Sequence, residues 1–292
     1  MSVRVRSLKP WLFLFPAAFI YMAVVLVPSL NTLVLSLFKW NGASPVMIFV
    51  GWDNYVKLFT EDTVFKLALT NTLLWTIASV LILTALALLM AMLLNQKIKG
   101  RLAFRSIFYF PSILSAVVVA ITWRWMYHPQ GLINGFLGLF GVGDNAPAWL
   151  AEPRSAMESV FVTSLWFGLG QPLVLFLAGL QTIARDPHEA AIIDGANAWQ
   201  RFSRITIPML RETLIIVLAT VFVNGMRVYD LIFAMTGGGP AESTQVLSTW
   251  MYFQTFTFAN VGVGAAISWI LIAISMVVII PYVRYTTKKS EQ

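Results

Sequence analysis

Three polar side chains recur at steps of three in a run otherwise too apolar for them: Asn224, Arg227 and Asp230, within 213–235. On a helix that spacing keeps them on one broad face. Ionisable groups set among apolar neighbours usually face a bundle interior or a water-filled path. These three are therefore candidates for contact with a polar solute. Arg227 and Asp230 also have the i, i+3 spacing of a structural ion pair, which is the reading favoured for them. A second cluster, Trp166, Gly168 and Gln171, stands in the run 159–181 with Gly170 and Pro172 beside it. Glycine and proline there predict a bent or broken helix whose backbone lines a cavity. An indole with Gln and Asn amides suits a hydroxyl-rich solute that also has apolar faces. Packing against lipid or core accounts for Trp166 equally well.

Other chemistry is excluded or lacks its residues. The chain has no cysteine, so disulfides, thiol catalysis and Cys-ligated metals are ruled out. His128 and His188 are too far apart in topology to share a metal. No Ser/His/Asp or paired-carboxylate set stands out, and no G-x-x-x-x-G-K-[ST] run is present to cradle a nucleotide's phosphates. Gly237–Gly239 followed by Pro240 is a turn signal instead. The expectation is a non-enzyme with no catalytic residue, no metal and no cofactor of its own.

The elements that must position these residues follow from hydropathy. Of the 292 residues, 58% are hydrophobic and 11% charged, whereas soluble domains carry about 25% charged residues. Apolar runs near 11–38, 71–94, 107–127, 159–181, 213–235 and 262–282 can each cross a hydrocarbon core of roughly 30 Å as helix. Lipid requires every backbone group to be paired internally. The fold class expected is all-α, a polytopic membrane protein with six transmembrane helices, residues 1–292 forming one transmembrane domain. The first run is too long for a signal-peptide core and is read as a retained helix, kinked or partly terminated at Pro16 and Pro28. Segments 40–70 and 129–157 are long connectors, and 243–258 is expected as a short amphipathic or re-entrant helix at the outer surface.

Fourteen of the 20 basic residues fall on one side of this arrangement: Arg4, Arg6 and Lys9; Lys97, Lys99, Arg101 and Arg105; Arg185, Arg201, Arg204 and Arg211; Arg284, Lys288 and Lys289. The positive-inside rule makes that side, and both termini, cytoplasmic. The net charge of +7 is then an orientation signal, and nucleic acid is not needed to explain it.

The loop 185–208 is unlike an ordinary connector. Asp186 suits a helix N-cap, Pro187 the first helical position, and Glu189 the third, a capping-box arrangement. A short helix is predicted over 187–194, ended by Gly195 in the left-handed conformation. Asn197 can cap a second, with Trp199, Phe202 and Ile205 on its apolar face, and Pro208 stops that helix or turns it into the next span. Such a bent knob suits docking in another protein's groove, and a hairpin lying on the membrane surface satisfies the same pattern.

Glu189-Ala190-Ala191, Gly195, Ile205 and Ile207-Pro208 in this register resemble the EAA loop of ABC importer permeases, which usually ends in Leu-Pro. Gly51–Tyr55 (Gly-Trp-Asp-Asn-Tyr), Thr236–Pro240 and Ser243-Thr244 resemble the carbohydrate-uptake branch, which includes the larger maltose permease subunit. The resemblance implies a multi-pass subunit of the bacterial cytoplasmic membrane that imports a sugar or sugar-like solute, with di- or oligosaccharide favoured. Its implied partners are a second homologous permease, a homodimeric cytoplasmic ATPase that holds ATP and Mg, an extracytoplasmic solute-binding protein, and membrane lipid. It assigns ATPase coupling to Asp186, Glu189, Ala190, Ala191, Asp194 and Gly195 within the cytoplasmic loop 185–208. Matched solute positions are Ser164, Trp166, Phe167, Gly168, Gln171, Val221, Gly225 and Val228. Several that are polar in the family are apolar or Gly here, so contacts are rearranged or supplied by the second permease. The competing reading is an ion-coupled secondary transporter, for which Arg227 and Asp230 would be the deep ionisable residues.

Overall fold

The computed structural model describes residues 9–96, 99–142, 147–184 and 186–290. Arg4, Arg6, Lys97 and Arg185, used above to orient the chain, lie outside the described residues, as does part of the 129–157 connector. The chain divides into two compact units, Met1–Asp62 with Met251–Ala273 and Thr63–Trp250 with Ile274–Gln292.

In chain order, α1 (Lys9–Tyr21) passes through a π turn at Met22–Leu26 into α2 (Val27–Leu35). Pro16 sits inside α1 and Pro28 in the first turn of α2, yet Leu12–Leu35 stays one helix. The wide turn bonds the Val27 N–H back five residues to the Met22 carbonyl, just ahead of the proline that has no N–H to give. A two-residue hairpin follows, β1 (Phe38–Lys39) against β2 (Ile48–Phe49), antiparallel with Phe38 opposite Phe49. The Gly51–Tyr55 motif then opens α3 (Asp53–Thr60). Its buried Asn54 amide donates to the Ser36 and Phe38 carbonyls at 2.7 and 3.0 Å, and the Tyr55 hydroxyl lies 2.7 Å from that of Ser36. The motif therefore fastens the hairpin to the end of α2. On the surface of α3, the Lys57 ammonium donates to the Asp53 carboxylate at 2.6 Å, and that bond, with the carboxylate's charge, raises the Lys57 pKa above its ordinary value.

The second unit begins with α4 (Thr63–Ala78), a π turn at Ser79–Leu83 and α5 (Thr84–Asn95), together one 33-residue apolar helix. α6 (Arg101–Tyr109) and a 3-10 turn, Phe110–Ile113, meet α7 (Ala116–Met126) at 101°. The run 107–127 is therefore not one straight helix as expected. Pro111 begins the tight turn, and Leu114 and Ser115 are extended. After α8 (Leu132–Gly138) come α9 (Ala156–Gly168) and α10 (Gly170–Thr182), bent by 42°.

Two short helices, α11 (Asp186–Ile193) and α12 (Ala198–Arg201), lead through a π turn at Phe202–Thr206 and α13 (Ile207–Met209) to α14 (Arg211–Met226). α15 (Asp230–Thr236), α16 (Leu247–Tyr252), a π turn at Phe253–Thr257 and α17 (Val261–Ser290) complete the chain. Among the described residues, three helices are long and apolar enough to cross a membrane, and three bent pairs have the same capacity.

Of the two forms expected of segment 243–258, an exposed amphipathic helix does not describe its first half. Thr244 to Trp250 are all buried, because their polar groups are satisfied from within the second unit. The Asn71 amide donates to the Ser243 and Gln245 carbonyls at 2.9 and 2.8 Å, and the Leu247 N–H donates to the Thr72 hydroxyl at 2.9 Å.

The second unit has two packed cores. In one, Ala87 and Ala91 let α5 approach Leu173, Phe176 and Leu177 of α10, with Val217 and Val221 of α14; small residues at i, i+4 permit that close crossing. In the other, Trp75, Val119, Ala120, Val160 and Ile232 join α4, α7, α9 and α15.

Candidate translocation cavity and docking loop

The bend between α9 and α10 is written in Pro172. It has no N–H for the Gly168 carbonyl, so the helical ladder is interrupted there. Ser112 closes part of the gap from outside. Its hydroxyl donates to the Phe167 carbonyl at 2.9 Å and accepts the Gly170 N–H at 3.2 Å. It can do so because its own span is broken at the same level. A Cβ at residue 170 would overlap Ser112 Oγ and come within 3.0 Å of Tyr109 Cα, so the close approach requires glycine.

The run 213–235 is also broken. α14 ends at Met226, Arg227 and Tyr229 leave helical geometry (φ −104°, ψ 13° and φ −142°, ψ −63°), and α15 restarts at Asp230. Arg227 and Asp230 therefore do not share a helix face. Among the described residues no ion pair joins them, because the register an i, i+3 pair needs is interrupted between them.

These breaks surround one cavity of about 360 Å3, within the range of pockets for small ligands, about 300–1,000 Å3. Ser164, Gly168 and Gln171 line it from α9 and α10, and Asn224, Gly225, Arg227 and Asp230 from α14, its end and α15. Gly225 lies where α14 crosses α4; a Cβ there would stand 3.1 Å from Thr76 Cα. Trp166 does not line the cavity. It is 42% exposed, and its ring lies 5.6 Å from that of Trp123. The aromatic surface comes instead from Trp75, held edge-on to Phe161 at 5.0 Å, and from Phe167 and Tyr229. Ser79, Ser112 and Thr220 add hydroxyls. Sequence reasoning did not select Trp75 and Ser79. Their signal was the recurrence of Thr72, Thr76 and Ser79 on one face of an otherwise apolar helix. The cavity offers hydroxyls, amides, ring faces and one charge of each sign, a lining that can bind and orient a polar solute.

In the described part of the 185–208 loop, the first helix ends at a left-handed Gly195 and Asn197 caps the second, as predicted, but α11 already includes Asp186, which is its first residue and not its N-cap. Asp186 and Glu189 occupy the first turn of α11, where negative charge complements the helix dipole. Its end is a Schellman motif: Gly195 has φ 77°, its N–H donates to the Ile192 carbonyl at 3.1 Å, and the Ala196 N–H donates to the Ala191 carbonyl at 2.9 Å. Asn197 and Gln200 then form a reciprocal capping box on α12, bonded at 2.8 and 2.9 Å. Arg201 Nη1 donates to the Ala196 carbonyl at 2.7 Å and ties the two helices together. Ala198–Met209, which includes Pro208, meets α14 at 73°. Asp186, Glu189, Ala190, Asp194 and Gly195 are exposed and Ala191 is half-buried. Ile193 and Trp199 are 86% and 70% exposed. A cleft of about 370 Å3 between the helices is lined by Ala191, Asp194, Gly195, Gln200 and Arg204.

This combination of a broken-helix membrane bundle and a projecting helical hairpin matches known proteins. Residues 83–287 match the family described as the binding-protein-dependent transport system inner membrane component, and the chain belongs to that family. It is an inner-membrane permease subunit of an ABC importer, and the ion-coupled reading gives way to that membership. The chain is 33% identical over 277 residues to the probable ABC transporter permease protein YurN of Bacillus subtilis, covering 94% of each. It is 33% identical to the trehalose/maltose transport system permease protein MalF of Thermococcus litoralis, over 88% of this chain and 86% of that one. In fold it is similar to a chain of a bacterial alginate ABC transporter solved in complex with an alginate pentasaccharide-bound periplasmic protein, with TM-score 0.80, 22% identity, and 94% and 92% of the two chains covered.

Proposed function

We propose that this chain is one of two homologous permeases of a bacterial importer for a sugar or sugar-like solute, di- or oligosaccharide favoured. It has six membrane spans with both termini cytoplasmic. Three long helices are apolar enough to cross alone, and the other three spans rest on the apolar runs 107–127, 159–181 and 213–235, each of which is bent or broken; the side on which the basic residues gather supports the orientation. The observation that carries the solute reading is the convergence of Ser164, Gly168, Gln171, Asn224, Gly225, Arg227 and Asp230 on one cavity that also presents Trp75. Ring faces for the apolar side of a sugar and amides and hydroxyls for its OH groups are the required chemistry. The trehalose/maltose system named for a relative supports the same class.

The division of labour is as follows. An extracytoplasmic binding protein delivers the solute, as the alginate complex illustrates for its own transporter. A homodimeric cytoplasmic ATPase binds ATP and Mg. Its closure moves α11 through Asp186, Glu189, Ala190, Ala191, Asp194 and Gly195. The bundle then exchanges inward-open and outward-open packings around the cavity, each favoured by ligands at one end. This chain itself performs no catalysis.

The test is uptake by proteoliposomes holding both permeases, the ATPase and the binding protein. Labelled maltose or trehalose should accumulate only with ATP inside the vesicle-equivalent cytoplasmic space, without effect from ionophores. Uptake driven by an ion gradient without ATP overturns the mechanism. ATP-driven uptake of non-sugar solutes alone overturns the solute class.

A further inference from the structure

A second cavity, about 690 Å3, opens beside the 185–208 loop and shares no residue with the solute cavity. Its polar lining includes Asn95, Arg101, Arg105, Gln181, His188 and Glu189. Arg101 and Arg105 are one turn apart on α6 and so share a face. Arg105 Nη2 donates to the Leu94 carbonyl at 3.1 Å, which fixes the guanidinium. Its Nε is fully buried and donates to nothing among the described residues. The Nε is covered by protein, so only the terminal nitrogens of this guanidinium are available to a group in the cavity. Guanidinium pairs at fixed geometry match phosphate oxygens.

The rest of α6 indicates where such a phosphate comes from. Leu102, Phe104 and Ile107 are all exposed, on flanks of the helix that carry neither arginine. α6 turns away from α7 by 101° and does not continue along it. A short helix with arginines on one face and large apolar side chains on the others, set at 101° to the helix that follows it, is built to lie in the membrane interface. Basic cavities at that level take anionic lipid headgroups.

We propose that Arg101 and Arg105 bind a phosphate-bearing anion in this cavity, and that its source is the headgroup of an anionic membrane lipid whose chains cover Leu102, Phe104 and Ile107. Glu189, the carboxylate among the lining residues, belongs to α11, so the cavity lies between α6 and the 185–208 loop. The inference rests on membrane embedding and not on which solute is carried.

The experiment is native mass spectrometry of the assembled importer, released from nanodiscs of phosphatidylcholine alone or phosphatidylcholine with phosphatidylglycerol, with inorganic phosphate as a separate titrant. Wild type should retain phosphatidylglycerol over phosphatidylcholine by about tenfold. Arg101→Gln and Arg105→Gln should each reduce that preference, and Lys57→Gln on α3 should leave it intact. Saturable binding of inorganic phosphate that both arginine substitutions abolish, without lipid preference, supports the anion site and assigns it to free phosphate. Equal retention of both lipids with no phosphate binding overturns the proposal, as does a preference unaffected by either substitution. So does loss of the ATPase from the complex with unchanged lipid retention, which would give the cavity to an acidic segment of that partner. If Arg105→Gln fails to assemble, the exposed Arg101 carries the test.

Discussion

Ser112 holds two helix ends with one oxygen. Removing the hydroxyl in Ser112→Ala leaves the Phe167 carbonyl and the Gly170 N–H without that partner, at a cost of about 1–3 kcal/mol, to be read as a lower unfolding midpoint of the purified complex. Gly170→Ala drives a methyl into the same oxygen and should cost about 1–3 kcal/mol. Combined with Ser112→Ala it should cost less than the sum, because the oxygen it strikes is gone; strict additivity would refute the contact. Gln171→Ala, at the cavity wall, should lower kcat/KM for the sugar by about tenfold, the value of a lost hydrogen bond to a neutral group, while ATPase co-purification is unchanged. At this scale the sequence was informative wherever a polar residue interrupted an apolar run. Gln171, Asn224 and Asp230 stood out for that reason. Trp75 did not, since an indole among Leu and Ala has the same local pattern whether it packs or binds. Trp166 was open to both readings in the sequence; its neighbours Ser164, Phe167 and Gly168 face the cavity, and it packs beside Trp123.

The α11–α12 hairpin is an element whose form is set by local signals. Gly195 has open space around its missing Cβ, so its substitution is opposed by the left-handed backbone alone. Gly195→Val should therefore distort the turn by about 1–2 kcal/mol, and both ATP-dependent uptake and ATPase co-purification should fall. Gly195→Asn, which tolerates this conformation, should retain most of both. Equal damage from the two would show that a side chain of any kind is rejected by the partner and that backbone strain is not the cause. Asn197→Ala should remove the capping box for about 1 kcal/mol. Gly195 and Asn197 made this element readable because caps act within four residues of themselves. The break at Arg227–Tyr229 was not readable, since nothing local forbids helix at Tyr229; the break at Leu114–Ser115 had a local signal in Pro111 that sequence reading did not use.

For the whole molecule, the apolar composition and charge bias pointed to a membrane bundle, and the match along 83–287 agrees. The buried course of 244–250 was hidden, because the segment has the composition of a surface one while its backbone carbonyls and an N–H find partners more than 170 residues away. Asn71→Leu removes two of those bonds. It should release the segment after Gly237–Pro240, raising hydrogen exchange across 243–250 and lowering uptake, with ATPase co-purification intact. Unchanged exchange there would show that the Thr72 bond and packing suffice.

The π turn at Ser79–Leu83 sets the phase of the longest apolar helix in the second unit. One surplus residue in a turn offsets everything beyond it by about 100° about the axis. Trp75 and Ser79, ahead of the offset, look into the cavity, and Ala87 and Ala91, beyond it, meet α10. An unbroken α-helix of the same sequence could satisfy only one of these two neighbours. Excising a single residue from 80–82 would thus swing either the cavity wall or the helix crossing out of alignment, although not one side chain that lines the cavity had been changed.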